Sequence, residues 1–314
     1  MFLCISANPA IDKRARAAQL RWGAVNRLLT VVPEPGGKAA HVAMAMQALG
    51  ERPLWIGLAG GASGSELVRG LEALGISTES VEVREATRVN LAILDDAGVV
   101  TELLEPGGAV SIPELDLFRK TCEQLFVQMK GRAYVTFSGS LPPGAPPEFY
   151  AELIRSARSN ACHTFLDTSG QALASALVQQ PEFVKPNREE AEWLAGEAIT
   201  DLRSARKAMS QFFVRGASSV ALSLGKDGLL WCPGPTQRVY YARPPVVEAR
   251  SGVGSGDATV AGFVQAIARK LSPEETARWA AACGAANCLA AAPGQIKLSD
   301  VRELMQATPV EELP

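Results

Sequence analysis

One short segment of the chain, Gly252-Val-Gly-Ser-Gly-Asp257, combines a glycine-rich turn with a carboxylate. Glycines let the backbone adopt dihedral angles that other residues avoid, and the unpaired N–H groups of a first helical turn attract anions. The N–H groups of Gly254, Ser255 and Gly256 would stabilise a phosphoryl group during its transfer. Asp257, a side chain that is ionised at neutral pH, would take the proton from the acceptor hydroxyl. The segment therefore predicts the chemistry of a kinase.

The neighbouring elements must place this turn between a strand and a helix. Upstream, Pro244–Ala249 carries two adjacent valines and is predicted as a strand. Downstream, Ala258–Lys270 has apolar residues at helical spacing. Asp257 would then lie in the first turn of a helix, where an acid also serves as an ordinary cap. This segment alone leaves both roles of Asp257 open.

The composition argues against several other classes of protein. Lys and Arg number 31 against 33 Asp and Glu, so a formal charge of -2 gives no general attraction for nucleic acid or an anionic membrane. Six cysteines without a Cys-x-x-Cys pair and only two histidines argue against a structural zinc site. The N-terminus is apolar before it is basic, unlike a secretory signal, and no apolar run approaches the ~20 residues of a membrane span. We expect a cytoplasmic protein with reduced thiols.

Short apolar runs rich in β-branched residues alternate with helical patterns along most of the chain. This order predicts an α/β fold with a mostly parallel sheet covered by helices on both faces, whose ligands bind beyond the carboxyl ends of the strands. The other predicted strands are Phe2–Ile5, Leu54–Ile56, Ala133–Phe137, Thr164–Leu166, Phe183–Val184 and Val220–Leu224. The other predicted helices are Lys38–Leu49, Gly64–Leu74, Pro113–Met129, Pro147–Ser159, Arg188–Leu194 and Leu202–Val214.

Two segments, near 10–32 and 88–104, break this alternation. They carry β-rich residues, with turns at Trp22-Gly23 and Asp95-Asp96-Ala-Gly98, and no long helix intervenes. We predict a small β-sheet flap beside the core, within a single domain that spans residues 1–314. Ordinary surface hairpins are the alternative.

Two further charged residues near the N-terminus, Asp12 and Lys38, lie after a predicted strand and at the start of a predicted helix. Asp12 follows the first strand and can accept hydrogen bonds from sugar hydroxyls, while Lys38 opens a helix where a cation and free N–H groups suit an anion. Neither Gly37-Lys38 nor Gly225-Lys226 is followed by Ser or Thr, which excludes a Walker phosphate loop. Taken alone, Asp12 also fits a turn cap and Lys38 a solvated lysine.

The order of the motifs resembles that of the ribokinase-like carbohydrate kinases, the PfkB group, over nearly the whole chain. The motifs are Asn8-Pro-Ala-Ile-Asp12, Gly36-Gly-Lys38, Thr87-Arg88, Ser138-Gly-Ser-Leu-Pro-Pro-Gly144, Lys185-Pro-Asn187-Arg-Glu-Glu190, Ser223-Leu-Gly-Lys-Asp-Gly228 and Gly252-Val-Gly-Ser-Gly-Asp257. The resemblance implies a three-layer αβα sandwich with a small β-sheet lid. It also implies phosphorylation of a sugar by ATP with magnesium.

Within this group the chain is most similar to the kinases of hexose phosphates, 1-phosphofructokinase and tagatose-6-phosphate kinase. Thr101-Glu-Leu-Leu-Glu105, Asp167-Thr-Ser-Gly170 and Gly254-Ser-Gly-Asp-Ala-Thr259 look more like tagatose-6-phosphate kinase. The resemblance therefore favours phosphorylation of tagatose 6-phosphate to tagatose 1,6-bisphosphate. Fructose 1-phosphate is next, and a 6-phosphofructokinase of the same family stays open, as does a homodimer formed through the lid.

The resemblance also implies a role for each matching residue. Asp257 would be the catalytic base, and Gly254, Ser255 and Gly256 would form the anion hole. The substrate side would comprise Asp12, Gly37, Lys38, His41, Arg88, Arg27 and Ser138, with Lys38 and Arg88 holding the phosphate already on the sugar. The nucleotide side would comprise Lys185, Asn187, Ser223, Gly225, Gly228, Gly256 and Asn287, with the Ala280–Asn287 helix closing over adenine. Asn187 and Glu190 would act on magnesium through water, although both also fit a simple helix cap.

The chain departs from the family pattern at a few positions. The family usually has Gly-Gly-Lys-Gly-x-Asn, whereas this chain has Gly36-Gly-Lys-Ala-Ala-His41. His41 either replaces the contact of that Asn with a sugar hydroxyl or points into the core. Gly252 stands where the family usually has Thr or Pro. Ala39 and His41 leave open a function of another class, a non-catalytic sensor of sugar phosphate.

Overall fold

A central β-sheet of ten strands organises the computed structural model, which describes residues 1–235 and 238–313. Its strands in chain order are β1 (Phe2–Ser6), β4 (Pro53–Ala59), β5 (Ser77–Glu82), β8 (Tyr134–Ser138), β9 (His163–Asp167), β10 (Phe183–Val184), β11 (Ser219–Ser223), β12 (Leu229–Cys232), β13 (Val239–Ala242) and β14 (Val310–Leu313). Across the sheet the order is β14-β13-β12-β11-β10-β9-β8-β1-β4-β5. The strands from β11 to β5 are parallel, and β12 to β14 continue the sheet in antiparallel fashion. The predicted, mostly parallel sheet is confirmed.

Helices cover both faces of this sheet. They are α1 (Lys38–Ala48), α2 (Gly61–Ala73), α3 (Ile112–Gln128), α4 (Phe149–Ser159), α5 (Gly170–Leu177), α6 (Arg188–Ala195), α7 (Leu202–Val214), α8 (Ser255–Ala268), α9 (Pro273–Leu289) and α10 (Leu298–Ala307). Within the described ranges, every helix is too short or too polar to span a bilayer.

Alternate side chains of the central strands enter different apolar clusters. In β1, Leu3 and Ile5 pack in a cluster with Phe118 of α3, whereas Cys4 packs in a second cluster with Phe263 of α8. Side chains two residues apart lie on one face of a strand, so the two clusters lie on opposite faces of the sheet. The three-layer arrangement of helices, sheet and helices is therefore confirmed.

A second sheet of four strands lies beside the core and corresponds to the predicted flap. Its strands are β2 (Ala10–Arg16), β3 (Thr30–Gly36), β6 (Arg88–Leu94) and β7 (Val100–Leu103), in the order β3-β2-β6-β7. The parallel pairing of β2 with β6 sets Asp12 opposite Asn90. We call this sheet the lid. Since β3 ends at Gly36, the lid leads almost directly into the first turn of α1.

The prediction of a strand at Pro244–Ala249 is wrong. The backbone of this segment forms no strand, and the strand that precedes α8 in the described residues is β13, which ends at Ala242. Pro244 and Pro245 lack the N–H groups that a ladder needs, and Val246 is 96% exposed. The valines of the segment favour a strand, but the two prolines prevent one.

Candidate active site

The glycine-rich turn forms the start of α8. Gly254 caps the helix in a left-handed conformation with φ of 81°, and a Cβ at this position would lie 2.7 Å from Cβ of Pro293. Both the dihedral angle and the close contact require glycine. The N–H of Ser255 donates to the carbonyl of Gly252 over 3.2 Å, whereas the N–H of Gly256 lacks a carbonyl partner within the helix. Asp257 follows them in the same turn and is only 5% exposed.

Asn287, near the end of α9, holds this turn in place. Its amide group donates to the carbonyl of Val253 over 2.7 Å and to Oγ of Ser255 over 3.3 Å. Its Oδ1 accepts from the N–H of Gly294 over 2.8 Å. The side chain thus ties the anion-binding turn to the loop after α9. Whether it also contacts a nucleotide stays a prediction.

His41, in α1, lies between two carboxylates. Its Nδ1 is 2.8 Å from Oδ2 of Asp257, and its Nε2 is 3.0 Å from Oδ2 of Asp12. An ionised carboxylate only accepts hydrogen bonds, so both ring nitrogens must carry hydrogen, which is the charged form of histidine. Burial opposes this charge, but hydrogen bonds and charge attraction to Asp12 and Asp257 outweigh it and raise the pKa of His41 to about 10. We call this three-residue arrangement the His41 bridge.

Asp12 is held at the base of the lid by several donors. Its Oδ1 accepts from Nδ2 of Asn90 over 2.8 Å, and its Oδ2 accepts from the N–H of Gly37 over 3.3 Å as well as from His41. Burial opposes ionisation of Asp12, but the hydrogen bond to His41 and the charge of that ring outweigh it, and the pKa of Asp12 lies below its ordinary value. A carboxylate offers about four lone-pair sites. Three are used here, which leaves room for a sugar hydroxyl.

A second group of buried charges lies at the carboxyl ends of β9 and β10. Nζ of Lys38 is 3.0 Å from Oδ1 of Asp167 and 3.7 Å from Oε1 of Glu190, and Nζ of Lys185 is 3.6 Å from Asp167. Burial opposes the charge of Asp167, but Lys185 and then Lys38 outweigh it, and its pKa lies below the ordinary value. For Glu190, burial dominates and its pKa is raised. The structure therefore pairs Lys38 with these acids, and its predicted contact with a sugar phosphate stays a prediction.

Lys185 connects this cluster with the anion-binding turn. A Cβ at Gly256 would lie 3.3 Å from Nζ of Lys185, so the ammonium lies against the first turn of α8. The side chain is only 3% exposed. A buried cation beside the positive end of a helix dipole strengthens the attraction of this turn for a phosphoryl group.

The Asn187 and Glu190 pair forms a capping box at the start of α6. The N–H of Glu190 donates to Oδ1 of Asn187 over 2.8 Å, and the N–H of Asn187 donates to Oε2 of Glu190 over 2.9 Å. The prediction that these two residues cap a helix is confirmed. The other carboxylate oxygen of Glu190, Oε1, faces Lys38. A bridge between Asn187 and Ser223 brings the end of β11 beside this cap.

The predicted glycines of the nucleotide side lie in the turn between β11 and β12. Gly225 has φ of 62° and Gly228 has φ of 99°, and a Cβ at Gly228 would lie 2.4 Å from the carbonyl oxygen of Ala242. This turn joins the antiparallel strands β11 and β12 as a hairpin, and it begins at Ser223, at the edge where the site lies. Contact of this turn with a nucleotide stays a prediction.

Arg88, at the start of the lid strand β6, is partly buried at the base of the lid. It donates to the carbonyls of Glu105 and Asn8, and among the described residues its buried Nε has no partner. The buried Oγ of Ser138, at the end of β8, likewise has no partner in that part of the chain. Orphaned donors of this kind suit a polar ligand.

Arg27 lies in the exposed loop between β2 and β3, and in residues 1–235 and 238–313 we find no hydrogen bond or ion pair that ties it to the site.

The sequence did not identify two residues of this site. Asp167 was noted only as part of a motif, yet it is 1% exposed and anchors two lysines. Asn90 was not singled out, yet it orients Asp12. Asp167 directly follows the predicted strand Thr164–Leu166, and that position was the available signal for it. Asn90 is found only once the pairing of β2 with β6 is known.

The His41 bridge predicts a dependence of stability on pH. The pKa of His41 rises from 6.5 to about 10 on folding. The stabilisation is therefore full below pH 6.5 and is lost as pH rises towards 10. In that window the free energy of unfolding of the native protein should fall relative to that of His41→Asn by up to about 1.4 kcal/mol per pH unit. Urea unfolding of both proteins across this range measures the difference, and parallel curves would contradict the charged bridge.

Comparison with known proteins identifies the family. Residues 6–297 match the model of the pfkB family carbohydrate kinases. Phosphofructokinase-2 from Escherichia coli in complex with potassium is similar, with 30% sequence identity and a TM-score of 0.89 over 98% of both chains. Its complex with fructose-6-phosphate gives 30% identity and a TM-score of 0.88 over the same 98% of both chains. A Thermotoga maritima protein described as a possible 1-phosphofructokinase shares the fold, with 23% identity and a TM-score of 0.87 over 100% of both chains. The chain belongs to the pfkB family and is an ATP-dependent carbohydrate kinase.

Proposed function

We propose that the protein transfers the γ-phosphoryl group of ATP to the free primary hydroxyl of a ketohexose phosphate. The observation that carries this proposal is the position of Asp257 in the first turn of α8, directly after the N–H groups of Gly254, Ser255 and Gly256. A base and an anion hole in one helical turn suit an acceptor hydroxyl and the phosphoryl group that it attacks.

Each member of the site has a defined task in this proposal. Asp257 takes the proton of the acceptor hydroxyl, whose oxygen then attacks the phosphorus, and ADP leaves. The first turn of α8 and Lys185 stabilise the charge of the phosphoryl group as it moves. Asp12 accepts a hydrogen bond from another sugar hydroxyl and so orients the acceptor.

ATP and magnesium fit the charged cluster between β9 and β10. In the described residues no cluster of three or more acids, cysteines or histidines forms a metal cage. Magnesium, however, commonly keeps several waters and binds substrate phosphates with only one or two carboxylates. Among the described residues, Oδ2 of Asp167 is buried without a partner, and Asp167 and Glu190 both lie within 4.0 Å of Nζ of Lys38. Glu190 and Asn187 would hold hydrated magnesium, which neutralises phosphate charge when bound.

The sugar is assigned from the phosphate that it already carries. Arg88, with an orphaned buried Nε, is the cation at the base of the lid that suits this phosphate. We place tagatose 6-phosphate first because of the motifs at Thr101–Glu105 and Gly254–Thr259. Fructose 6-phosphate is the second candidate, since the 30% identical E. coli enzyme was solved with it. Fructose 1-phosphate completes the set. The supply of ATP in the cytoplasm fits the predicted location.

The loop between lid strands β2 and β3 exposes apolar side chains that support a homodimer. Trp22 is 89% exposed, and Val25 and Leu29 in the same segment are also exposed. Contiguous apolar side chains on a monomer commonly mark an interface. The 30% identical E. coli enzyme has also been solved as a tetrameric inhibited form. We propose that two copies of this chain pair through their lids, and that lid closure excludes water from the site.

A substrate panel with ATP and magnesium tests the proposed function. ADP release should follow addition of tagatose 6-phosphate, fructose 6-phosphate or fructose 1-phosphate, in decreasing order of kcat/KM. Asp257→Asn should lower kcat by about 10²–10⁴-fold, because it removes the base, while circular dichroism stays unchanged. Turnover of neutral sugars alone would overturn the substrate class. Calorimetric binding of sugar phosphates without any transfer would instead favour a sensor.

A matched pair of glycine variants tests the anion hole. Gly254→Ala places a methyl group 2.7 Å from Pro293 at a φ that alanine rarely adopts, whereas Cβ at Gly252 would have nothing within 4 Å. We expect Gly254→Ala to lower kcat by about 10²-fold or more, because a misplaced donor costs roughly that much. Gly252→Ala should change kcat little. Equal effects of the two substitutions would contradict the geometry.

The lid dimer is tested by sedimentation. The native protein should sediment as a dimer at micromolar concentration, and Trp22→Asp should shift it towards the monomer because the substitution places a charge in the apolar contact. Glu66→Lys, on the exposed face of α2, is the charge-changing control. A native protein that is monomeric throughout the micromolar range would exclude this assembly.

A further inference from the structure

We propose that His41 is a positioning residue that locks the base Asp257 and the sugar-binding Asp12 into one hydrogen-bonded unit. This inference rests on the proposed role of Asp257 as the base. It assigns His41 neither of the roles that the sequence left open, because both ring nitrogens face carboxylates.

The geometry leaves no free hydrogen-bonding atom on the ring. Nδ1 and Nε2 face oxygens of different carboxylates at 2.8 and 3.0 Å, and each carboxylate is acceptor-only when ionised. A doubly protonated imidazole has no acceptor for a hydroxyl proton. The ring therefore cannot replace an amide that both donates to a sugar and accepts from it.

The surroundings hold the ring in this orientation. The side chain of His41 is 5% exposed, and α1 packs against α8 through residues that are almost entirely buried. A Cβ at Gly294 would lie 2.6 Å from the carbonyl oxygen of His41, so the loop after α9 also packs closely against the backbone of α1. On the lid side, Asp12 is held by Asn90 and Gly37. The bridge thus connects the lid strand β2 to the phosphoryl-transfer helix α8 through a side chain with little freedom.

The bridge also sets the charge around the base. Asp12 on β2, Asp257 on α8 and Glu102 on β7 bring negative charge towards the ring, and Lys38 on α1 and Arg88 on β6 bring positive charge towards the aspartates. Without the imidazolium, Asp12 and Asp257 would be like charges that share one site. Such pairs raise the proton affinity of one carboxylate. The ring of His41 lies between the two carboxylates and offsets their repulsion.

A specific path for the proton follows from this arrangement. Oδ2 of Asp257 is occupied by His41, and among the described residues Oδ1 makes no hydrogen bond. The sugar O–H bond breaks, its proton goes to Oδ1 of Asp257, and its electron pair forms the new O–P bond as ADP leaves. His41 takes no proton in this step because both of its nitrogens already carry one.

The acid limb of the pH profile distinguishes this role from simple packing. We compare kcat/KM for the sugar phosphate between pH 5 and 9 in the native protein, His41→Asn and His41→Gln. Loss of the imidazolium should move the acid limb of the kcat/KM profile to higher pH by about 1–3 units. An opposite charge at hydrogen-bond distance shifts the pKa of a carboxylate by that amount. A packing defect would lower activity at every pH without moving the limb. An unmoved limb overturns the proposal.

His163→Asn is the matched control. The chain has only two histidines, and His163 also pairs with an acid, Glu182, at 2.7 Å. It lies at the amino end of β9, whereas Asp167 of the site lies at the carboxyl end. This variant should keep the native profile. The variant Asp257→Asn distinguishes an error in the proposed base from an error in the proposed role of the His41 bridge. If it stays active, the proposed base is wrong, whereas if it is inactive and the His41 variants keep the native limb, only the bridge is wrong.

The protonation of His41 is also accessible without a variant at that position. In ¹⁵N NMR spectra of the full-length protein at pH 8, assigned by comparison with His163→Asn, both ring nitrogens of His41 should show the shifts of protonated imidazole. A neutral tautomer at pH 8 would overturn the bridge even if the His41 variants fail to fold.

Discussion

Pairing of buried charges at the carboxyl edge of the parallel sheet is the constraint on which the rest of this site depends. Asp257, His41, Asp167 and Lys185 are all at most 5% exposed. Burial of an unpaired charge costs several kcal/mol, and often the group gives up its charge instead. Each of these groups has an opposite charge within about 4 Å, which offsets this cost. Removal of one partner affects the charge state of the others as well as their positions.

In the proposed function, the two charge clusters would form an acceptor side and a nucleotide side of the site. His41, Asp12 and Asp257 connect the lid to the start of α8, whereas Lys38, Asp167, Lys185 and Glu190 lie at the ends of β9 and β10 and the starts of α1 and α6. Between them lies the first helical turn of α8, held by Asn287 and lined by Lys185. A phosphoryl group bound at this turn would therefore lie between its donor and its acceptor, as in-line transfer requires.

The sequence predicted the parts of this structure that are local. Alternating apolar runs predicted the parallel sheet, and the glycine spacing predicted the turn before α8, because both patterns reflect short-range geometry. The antiparallel strands β12 to β14 were not predicted. The edge strand β5 was also missed, because its mostly exposed polar residues carry no apolar pattern. At Pro244–Ala249 the β-branched pattern was misleading, since ladder hydrogen bonds decide a strand and proline cannot donate them.

Side-chain pairing across the fold was beyond the sequence. His41 and Asp257 are 216 positions apart, and Lys38 and Asp167 are 129 apart. An isolated histidine on an apolar helix gives no sign that two carboxylates face it. The motif order identified most members of the site, but only the tertiary structure shows that Lys38 faces Asp167 and that His41 faces both Asp12 and Asp257.

The most direct test of the central claim is the identity of the product. ³¹P NMR can follow ATP, magnesium and tagatose 6-phosphate after addition of the purified protein. We predict a second phosphomonoester signal on the sugar that grows in step with ADP, which shows a bisphosphate. ATP consumption that yields only inorganic phosphate, or an unchanged sugar spectrum with this substrate and with the fructose phosphates, would contradict the account.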